Sequence, residues 1–315
     1  MDGLPLSFAL DTAVSQSASG RQRTLKAPIG CVGQGLHCGQ RVSLMLRPAP
    51  AGHGIAFRRI DLGIEIPARF DHVVDTRLAT VLALDGNAAA RVGTVEHVMA
   101  ALAGSGIDNA LVEIDGPEPP VLDGSAAPFV FLIDCAGVVE QDAPRAVIDV
   151  RRVVRVSEGD AFAELRPARP GSIGLDMALS IDFAAAAIGR QALSLSLSAD
   201  SFRRELARAR TFALADEIER LRASGFAKGG SLDNAVVVDQ ARVLNPSGLR
   251  MPDEFVRHKL LDAVGDLALA GASLRGRFVA HRSGHALNNR LLRALFADGA
   301  VGRSVAAEPL AAVAA

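Results

Sequence analysis

The two halves of this chain repeat the same order of strand-like and helix-like segments. Each half begins with segments in which apolar residues alternate with polar ones, as they do in strands with one buried face. The first half then continues with a helix, a strand and a helix: GTVEHVMAALAGSG, NALVEID and SAAPFVFLIDCAGVVE. The second half ends with the same series: FVRHKLLDAVGDLALAG, SLRGRFVAHRSG and ALNNRLLRALFADG. This order predicts an α+β fold of two domains with similar layouts.

The domain boundary is predicted at QDAPRAVI, a proline-containing segment with the composition of a linker. We therefore predict a first domain at residues 21–143 and a second domain at residues 147–302. Residues 1–20 are interpreted as a flexible leader and residues 303–315 as a loose tail. A chain of 315 residues is long enough to give each domain a hydrophobic core of its own.

Charge and composition exclude several classes of function. The 34 basic and 35 acidic residues give a formal net charge of −1, so no overall field favours nucleic acid or an anionic membrane surface. Charged residues interrupt the apolar runs well before the length of a membrane span, so no integral membrane association is expected. Cys31, Cys38 and Cys135 are odd in number and lack CxxC spacing, which favours a reducing compartment. We expect a soluble cytoplasmic protein.

Three ionisable residues recur every four positions in the predicted helix FVRHKLLDAVGD, namely His258, Asp262 and Asp266. This spacing stacks their side chains along one face of the helix. His258 and Asp262 would then form half of a metal site, because side chains at i and i+4 converge on one side. The alternative is a His–Asp pair on a solvated helix face, which the spacing by itself favours.

A third metal ligand has to come from another part of the chain. His97 follows Glu96 in the first turn of the helix predicted in GTVEHVMAALAGSG. Adjacent helical residues point about 100° apart, so His97 could bind the metal while Glu96 reaches a bound water. The alternative is that Glu96 stabilises the positive end of the helix dipole, which is common for a carboxylate near a helix N-terminus.

Three further residues are candidates for the same chemistry. His285 lies in SGHALNN between a strand and a helix, where an accessible imidazole could act as an acid, although it could equally be bonded to the backbone. Asp266 lies too far along its helix to ligate the same ion comfortably, and it could instead orient an imidazole. Lys259 adds a positive charge beside His258.

Several short segments of the chain carry a resemblance to a known enzyme family. They are GLHCG, LRPAPA, TVEHVMAAL, GIDN, LDGSAAPFV, RARTF, GGSLDNAVV, DEFVRHKLLDAVGDL and SGHALNN. In order and spacing, from about Arg21 to about Gly302, they closely resemble the UDP-3-O-acyl-N-acetylglucosamine deacetylases, zinc enzymes of lipid A biosynthesis in Gram-negative bacteria. The resemblance implies two α+β domains whose helices pack between two β-sheets, with the active site at the domain junction.

The resemblance also implies a metal site and a base. His97, His258 and Asp262 match the family's zinc ligands, and one coordination position is left open for water, as expected for a catalytic site. Glu96 matches the general base. The same residue types suit iron(II) as well as zinc.

Other residues match groups around the reacting amide. His285 matches the charged histidine that acts as an acid or electrostatic partner, and Asp266 matches the carboxylate that orients it. Lys259 and Thr211 match groups near the developing oxyanion, and Phe212 matches a residue beside the sugar.

The resemblance further implies how the substrate is bound. Residues 213–243 match an insert that encloses the acyl chain in an apolar passage, with Leu214 and Gly230 as candidate contacts. The alternative is an amphipathic helix face without a ligand. Lys259 and Arg145 are candidate cations for the UDP phosphates.

The implied activity is zinc-dependent removal of the N-acetyl group from UDP-3-O-(3-hydroxyacyl)-N-acetylglucosamine, the committed step of lipid A biosynthesis. One alternative is a metal amidohydrolase for another N-acyl sugar nucleotide. Another is a non-catalytic homologue that binds an acylated sugar nucleotide or a protein partner, although all the matched reactive groups are present. The expected partner is the small-molecule substrate, with no nucleic acid. The acyl-chain length is not fixed by the sequence, and a monomer is the expectation.

Overall fold

The computed structural model describes residues 20–84, 90–297 and 299–305. The predicted leader lies outside the described residues apart from Gly20, and so do residues 306–315 of the predicted tail. The described chain folds into helices and several β-sheets, which confirms the α+β class. Within it, no helix has both the length and the apolar character needed to cross a membrane.

The first half of the described chain builds one large sheet, two small sheets and two helices. Its strands are β1 (Arg21–Leu25), β2 (Ile29–Gln34), β3 (Arg41–Pro48), β4 (Ile55–Arg59), β5 (Ile64–Pro67), β6 (Val73–Asp75), β7 (Val81–Ala83), β8 (Arg91–Val92), β9 (Ala110–Ile114) and β10 (Val138–Pro144). Its helices are α1 (Glu96–Gly104) and α2 (Ala127–Ala136), and a 3-10 turn covers Phe70–His72. The large sheet has the order β2-β3-β9-β4-β5, while β1 pairs with β10 and β6, β7 and β8 pair with one another.

Alternating side chains place the large sheet against the core. In β3, Val42, Leu44 and Leu46 are buried, and the residues between them are not. This period of two is the pattern of a strand with one face packed on the protein interior. α2 starts with a proline in its first turn and ends at Gly137, whose φ of 73° suits a glycine after a helix.

The second half builds a seven-stranded sheet, a small three-stranded sheet and four helical segments. Its strands are β11 (Ala146–Val150), β12 (Val154–Glu158), β13 (Ala161–Arg166), β14 (Leu175–Asp182), β15 (Arg190–Ser196), β16 (Phe212–Leu214), β17 (Val236–Asp239), β18 (Arg242–Val243), β19 (Ser273–His281) and β20 (Val301–Val305). Its helices are α3 (Ala199–Ser201), which continues into a π-helical turn at Phe202–Leu206, α4 (Ala215–Ala223), α5 (Glu254–Ala268) and α6 (His285–Ala297).

Strand β19 organises the seven-stranded sheet, because it pairs with β11, β13 and β14. Strands β12, β15 and β20 extend the sheet from these three partners. Strands β16, β17 and β18 form a separate sheet, on which α4 packs. The predicted insert at residues 213–243 therefore corresponds to a β–α–β–β unit outside the large sheets.

Helices pack on both large sheets and on one another. Helix α2 contacts β2 of the five-stranded sheet, whereas α5 contacts β14, β15 and β19 of the seven-stranded sheet. Helix α1 packs along α5 and approaches it closely at Gly265, where a Cβ atom would lie 2.0 Å from the carbonyl oxygen of Glu96. One hydrophobic cluster contains residues from both halves of the chain. The contact at Gly265 brings the first turn of α1 beside the middle of α5.

Two segments predicted from the sequence to lack regular structure contain strand residues. The segment QDAPRAVI is not a linker, because its residues up to Pro144 belong to β10, which pairs with β1, and β11 begins at Ala146. The tail predicted from residue 303 starts inside β20, which pairs with β11 as far as Val305. Both strands are defined by partners far away in the sequence, which local composition does not reveal. The division into two domains stays a prediction.

Candidate metal centre and active-site cleft

Three buried side chains from two helices meet in one cluster. The ligand atoms of His97 in α1 and of His258 and Asp262 in α5 lie within 4.8 Å of one another. The Oδ1 atom of Asp262 lies 3.3 Å from Nε2 of His258 and 3.6 Å from Nε2 of His97. The two imidazole rings meet edge to face, with centroids 5.0 Å apart. The structure brings together the three residues predicted as metal ligands.

Helix geometry and one glycine produce this arrangement. His258 and Asp262 are one turn apart in α5, so their side chains project from the same face. His97 lies in the first turn of α1, and the close approach of Gly265 places that turn beside them. A larger residue at position 265 would push the two helices apart, because packed interiors have no room for an added methyl group at this distance.

Asp262 has a carboxylate oxygen that lacks a partner among the described residues. Its Oδ1 atom is buried and accepts no hydrogen bond there, while Oδ2 accepts one from Nζ of Lys259 at 3.0 Å. Burial by itself would raise the pKa of Asp262, but His258 and Lys259 hold that pKa well below the ordinary 3.8. The carboxylate is therefore ionised at neutral pH. A buried, unsatisfied oxygen is costly unless a ligand binds it.

His258 is held in the form that binds metal ions. Burial lowers its pKa from 6.5 to about 4, so the imidazole is neutral at pH 7. Its Nδ1 atom donates to the carbonyl oxygen of Ala209 at 3.0 Å, which leaves the lone pair on Nε2. Two imidazoles and a carboxylate with a free oxygen fit a catalytic zinc site, and they suit iron(II) as well.

Glu96 lies beside the cluster and has the properties of a base. Its side chain is buried, with Oε2 accepting a hydrogen bond from the backbone N–H of Thr80 at 3.1 Å. Burial raises the pKa of Glu96 above 4.5, although the nearby imidazoles of His285 and His97 oppose the change. A carboxylate whose pKa is raised towards neutrality accepts and returns a proton more readily at pH 7.

His285 and Asp266 form the ion pair that the family resemblance implies. The Nδ1 atom of His285 donates to Asp266, with distances of 2.9 Å to Oδ2 and 3.1 Å to Oδ1. The opposite nitrogen, Nε2, lies 4.0 Å from Oε1 of Glu96. Burial alone would lower the pKa of His285, but the carboxylates of Asp266 and Glu96 outweigh it and raise that pKa to about 9. The imidazole is therefore positively charged at neutral pH.

A cleft of about 210 Å³ opens over this cluster, and most of the predicted catalytic and substrate residues line it. Thr211, Phe212 and Leu214 line one wall, and Lys259 lies beside the candidate metal ligands. The backbone of Thr211 is fixed on both sides, since its N–H donates to Gly124 and its carbonyl oxygen accepts from Val236. Burial would lower the pKa of Lys259, but the carboxylate of Asp262 raises it, so the ammonium group stays charged.

The ring of Phe212 connects the cleft to the core. The centroid of the Phe212 ring lies 5.1 Å from that of Phe255 and 6.3 Å from that of His258, with steep angles between the rings. Next to it, Arg210 forms a buried ion pair with Glu254 at the start of α5. These contacts fix the segment that carries Thr211 and Phe212 relative to α5.

Three residues of the site were not singled out from the sequence. Thr80 donates from its hydroxyl to Oδ1 of Asp266 at 2.6 Å, and Asn288 donates to Oδ2 at 2.8 Å, so both hold the partner of His285. His37 lines the cleft, and burial lowers its pKa. Asn288 and His37 lie in the quoted segments SGHALNN and GLHCG, which was a usable signal. Thr80 is 186 positions from Asp266, and nothing local marks it.

Two predicted substrate contacts lie elsewhere. Arg145 does not line the cleft. Its guanidinium is buried against Asp108, with Nε and Nη2 donating to that carboxylate at 2.9 Å and 2.8 Å. This pairing connects the residue between β10 and β11 to the turn after α1. A contact of Arg145 with the phosphates stays a prediction. Gly230 does not line the cleft either, and its contact with the acyl chain stays a prediction.

Comparisons with known proteins identify a family whose members are deacetylases, in agreement with the geometry of the cleft. The family model for UDP-3-O-acyl N-acetylglycosamine deacetylase (LpxC) matches residues 22–297. The chain belongs to this family. It is 52% identical over 283 residues to the UDP-3-O-acyl-N-acetylglucosamine deacetylase of Myxococcus xanthus, covering 89% of this chain and 88% of that one. It is 50% identical over 280 residues to the enzyme of the same name from Idiomarina loihiensis, covering 88% and 90% of the two chains.

Proposed function

We propose that this protein hydrolyses the N-acetyl group of UDP-3-O-(3-hydroxyacyl)-N-acetylglucosamine. The products are acetate and UDP-3-O-(3-hydroxyacyl)-glucosamine, and the reaction is the committed step of lipid A biosynthesis. The observation that carries the proposal is the buried group of His97, His258 and Asp262 with Glu96 and His285 beside it, in a member of this deacetylase family.

The metal ion of this site is zinc in our proposal, held by His97, His258 and Asp262. When bound, it supplies Lewis acidity towards the amide carbonyl and lowers the pKa of water to about 7. Iron(II) would be accepted by the same ligand set. The orphaned Oδ1 atom of Asp262 and the neutral imidazole of His258 support such an ion, since both are ready to ligate without losing a proton.

Glu96 acts as the general base. It takes a proton from the water that attacks the acetyl carbonyl carbon, and its raised pKa favours holding that proton. The backbone N–H of Thr80 holds Oε2 of Glu96 in place. The other oxygen, Oε1, is therefore the one that takes the proton from water. Fixing the base in this way lowers the entropic cost of the attack.

The developing oxyanion is stabilised by the Thr211 hydroxyl and the Lys259 ammonium. Both residues line the cleft next to the candidate metal ligands. Donors that are already in place when negative charge develops lower the barrier more than mobile donors do. The charge of Lys259 is secured by Asp262, whose Oδ2 atom it contacts at 3.0 Å.

His285 assists departure of the sugar amine. When the C–N bond breaks, the amine nitrogen needs a proton, which comes from charged His285 or from the proton that Glu96 has taken. Asp266 orients the His285 imidazole, and Thr80 and Asn288 orient Asp266 in turn. The acyl chain is proposed to leave the cleft past Phe212 and Leu214 along the unit formed by residues 213–243, where Gly230 lies.

The surroundings of the enzyme are part of the proposal. Its three cysteines are free thiols, which suits a reducing compartment, and we place the enzyme in the cytoplasm. We further propose that the enzyme acts as a monomer, with the site built from the residues of one chain.

Substrate comparison separates this function from its alternatives. The metal-loaded protein is incubated with UDP-3-O-acyl-N-acetylglucosamine of graded acyl length, with UDP-N-acetylglucosamine that lacks the acyl chain, and with other N-acyl sugar nucleotides. We expect acetate release to be fastest with an acylated substrate. A preference for another N-acyl sugar nucleotide would indicate a different amidohydrolase. About one metal ion per chain without acetate release would indicate a non-catalytic homologue.

A further inference from the structure

Glu118 is a buried carboxylate that none of the steps above uses. Its side chain is 3% exposed, in the turn between β9 and α2. Its Oε1 atom accepts hydrogen bonds from the backbone N–H groups of His37, at 2.9 Å, and Cys38, at 2.6 Å. Its Oε2 atom accepts a third from the hydroxyl of Thr94, at 2.8 Å. One carboxylate therefore joins two segments that are far apart in the sequence.

Thr94 leads directly into the proposed catalytic residues. It is two residues ahead of Glu96 and lines the cleft. Its φ of 54° lies in the left-handed region, which is unfavourable for a β-branched residue and persists only where the surroundings hold it. The hydrogen bond to Glu118 is the side-chain contact that holds the Thr94 hydroxyl in this conformation.

The other segment is the turn at residues 35–40, here called the His37 turn. It packs so closely on Glu118 that a Cβ atom at Gly35 would lie 2.5 Å from the carboxylate oxygen. His37 lines the cleft, and its ring meets that of Phe226 edge to face, with centroids 5.5 Å apart. The position of this cleft wall therefore depends on the two backbone hydrogen bonds to Glu118.

The His37 turn in turn holds part of the proposed acyl passage. The backbone N–H groups of Lys228 and Gly229 donate to the carbonyl oxygens of His37 and Leu36. The contact is very close, since a Cβ atom at Gly229 would lie 2.1 Å from the carbonyl oxygen of Gly35. A continuous set of contacts thus runs from Thr94 through Glu118 and the His37 turn to residues 228–229.

We propose that Glu118 is a positioning residue that fixes the catalytic end of α1 and the passage segment at residues 226–230 relative to each other. Glu118 does not line the cleft, so it acts through Thr94 and the His37 turn. A carboxylate suits this role because it offers only acceptors to three converging donors, and charge-assisted hydrogen bonds are stronger than neutral ones. The effect on turnover rests on the proposed function, whereas the effect on the passage segment does not.

Three substitutions test the proposal by kinetics. Glu118→Ala removes all three hydrogen bonds, and we expect kcat to fall about 10- to 100-fold per metal-loaded chain with a raised KM. Thr94→Val keeps the shape of Thr94 but removes its bond, and we expect kcat to fall with little change in KM. Glu118→Gln should restore much of the lost activity, because the amide oxygen still accepts from the His37 turn and the amide nitrogen can donate to Thr94.

A double-mutant cycle isolates the contact. If Thr94 and Glu118 act together, Thr94→Val in the Glu118→Ala background adds little to the loss of kcat. Glu164→Gln is the matched control, since Glu164 is an equally buried glutamate that pairs with Arg155 and Arg166 on the seven-stranded sheet. Its kinetic constants should stay at the wild-type values.

Hydrogen exchange tests the mechanical claim without any substrate. In Glu118→Ala, the amides of His37, Cys38, Lys228 and Gly229 should exchange about tenfold faster or more, and those of Glu164→Gln should not change. Unchanged exchange at residues 228–229 would overturn the proposal. So would losses of kcat that add up in the double mutant, or a loss of kcat that is fully explained by a smaller fraction of folded protein. If the wild-type protein releases no acetate, the proposed function fails, and the exchange result still decides the role of Glu118.

Discussion

Glu96 and His97 are adjacent in the chain, yet they have different surroundings. His97 faces Asp262, whereas Glu96 accepts a hydrogen bond from Thr80 and lies 4.0 Å from His285. We therefore expect Glu96→Gln to keep about one metal ion per chain but to lose about 10²- to 10⁴-fold in kcat. His97→Ala should lose the metal as well. Metal analysis and steady-state kinetics on the same samples measure both effects, and a Glu96→Gln enzyme within a few-fold of wild type would show that Glu96 is not the base.

The proposed acid and base also predict a bell-shaped dependence of kcat/KM on pH. Activity should fall in acid as Glu96, whose pKa is raised above 4.5, becomes protonated. It should fall in base as His285 loses its proton, because the carboxylates of Asp266 and Glu96 raise its pKa to about 9 and the charge of a bound ion would lower it again.

A titration of kcat/KM over about pH 5 to 10 checks this profile. His285→Gln should lower the rate and remove the basic limb while leaving the acidic limb in place. Persistence of the basic limb in that variant would assign it to another group.

At the level of elements, the site depends on how closely α1 approaches α5. A Cβ atom at position 265 would lie 2.0 Å from the carbonyl oxygen of Glu96. Replacing a helical glycine by alanine normally stabilises a helix by about 1 kcal/mol. We expect Gly265→Ala to do the opposite, with a loss of about 1–3 kcal/mol in the free energy of unfolding and weaker metal binding, because the two helices must separate.

Chemical denaturation and metal titration measure the two consequences. Gly174→Ala is the control, since its added Cβ atom would meet nothing closer than 3.6 Å. If Gly265→Ala proved as stable as wild type and bound metal equally well, the close approach of the helices would not be what positions the ligands.

How far the elements were predictable depends on where their partners lie. The pairing of His258 with Asp262 follows from helix periodicity alone, because a helix fixes the relation of residues four apart. The start of strand β10 was taken for the end of a helix, its remainder for a linker and part of β20 for a tail, since their partners β1 and β11 are distant in the chain. The buried ion pair of Arg145 was not predictable for the same reason, as its partner Asp108 lies 37 positions away. Non-local contacts of this kind leave no periodic signal.

For the whole molecule, the candidate metal site links the two halves of the chain. His97 comes from the first half and His258 and Asp262 from the second, so an ion bound there stabilises the folded arrangement of both. Metal at 100 times its dissociation constant should add about 2.7 kcal/mol to the free energy of unfolding. Chelation should therefore lower the melting temperature by several degrees, and zinc should restore it.

Differential scanning calorimetry with and without chelator measures this shift. Asp262→Ala provides the control, because it removes one ligand and should abolish the dependence of the melting temperature on zinc. An equal shift in Asp262→Ala and wild type would place the stabilising ion elsewhere.

The function of the protein could be predicted from the sequence because many motifs of one enzyme family occur together along the chain. Spacing alone favoured a solvated helix face for His258 and Asp262, and the resemblance spread over the chain gave the opposite interpretation. The structure buries both residues beside His97, which no single motif could establish. The roles of Glu118 and Thr80 needed the structure, since each acts through contacts between distant segments.

The most direct test of the account is acetate release from UDP-3-O-acyl-N-acetylglucosamine by zinc-loaded protein, with Glu96→Gln protein of equal metal content beside it. We predict one acetate and one free sugar amine for each substrate consumed by the wild type, and a rate lower by about two orders of magnitude or more for the variant. Equal rates for the two proteins, or no acetate from fully loaded wild type, would contradict it.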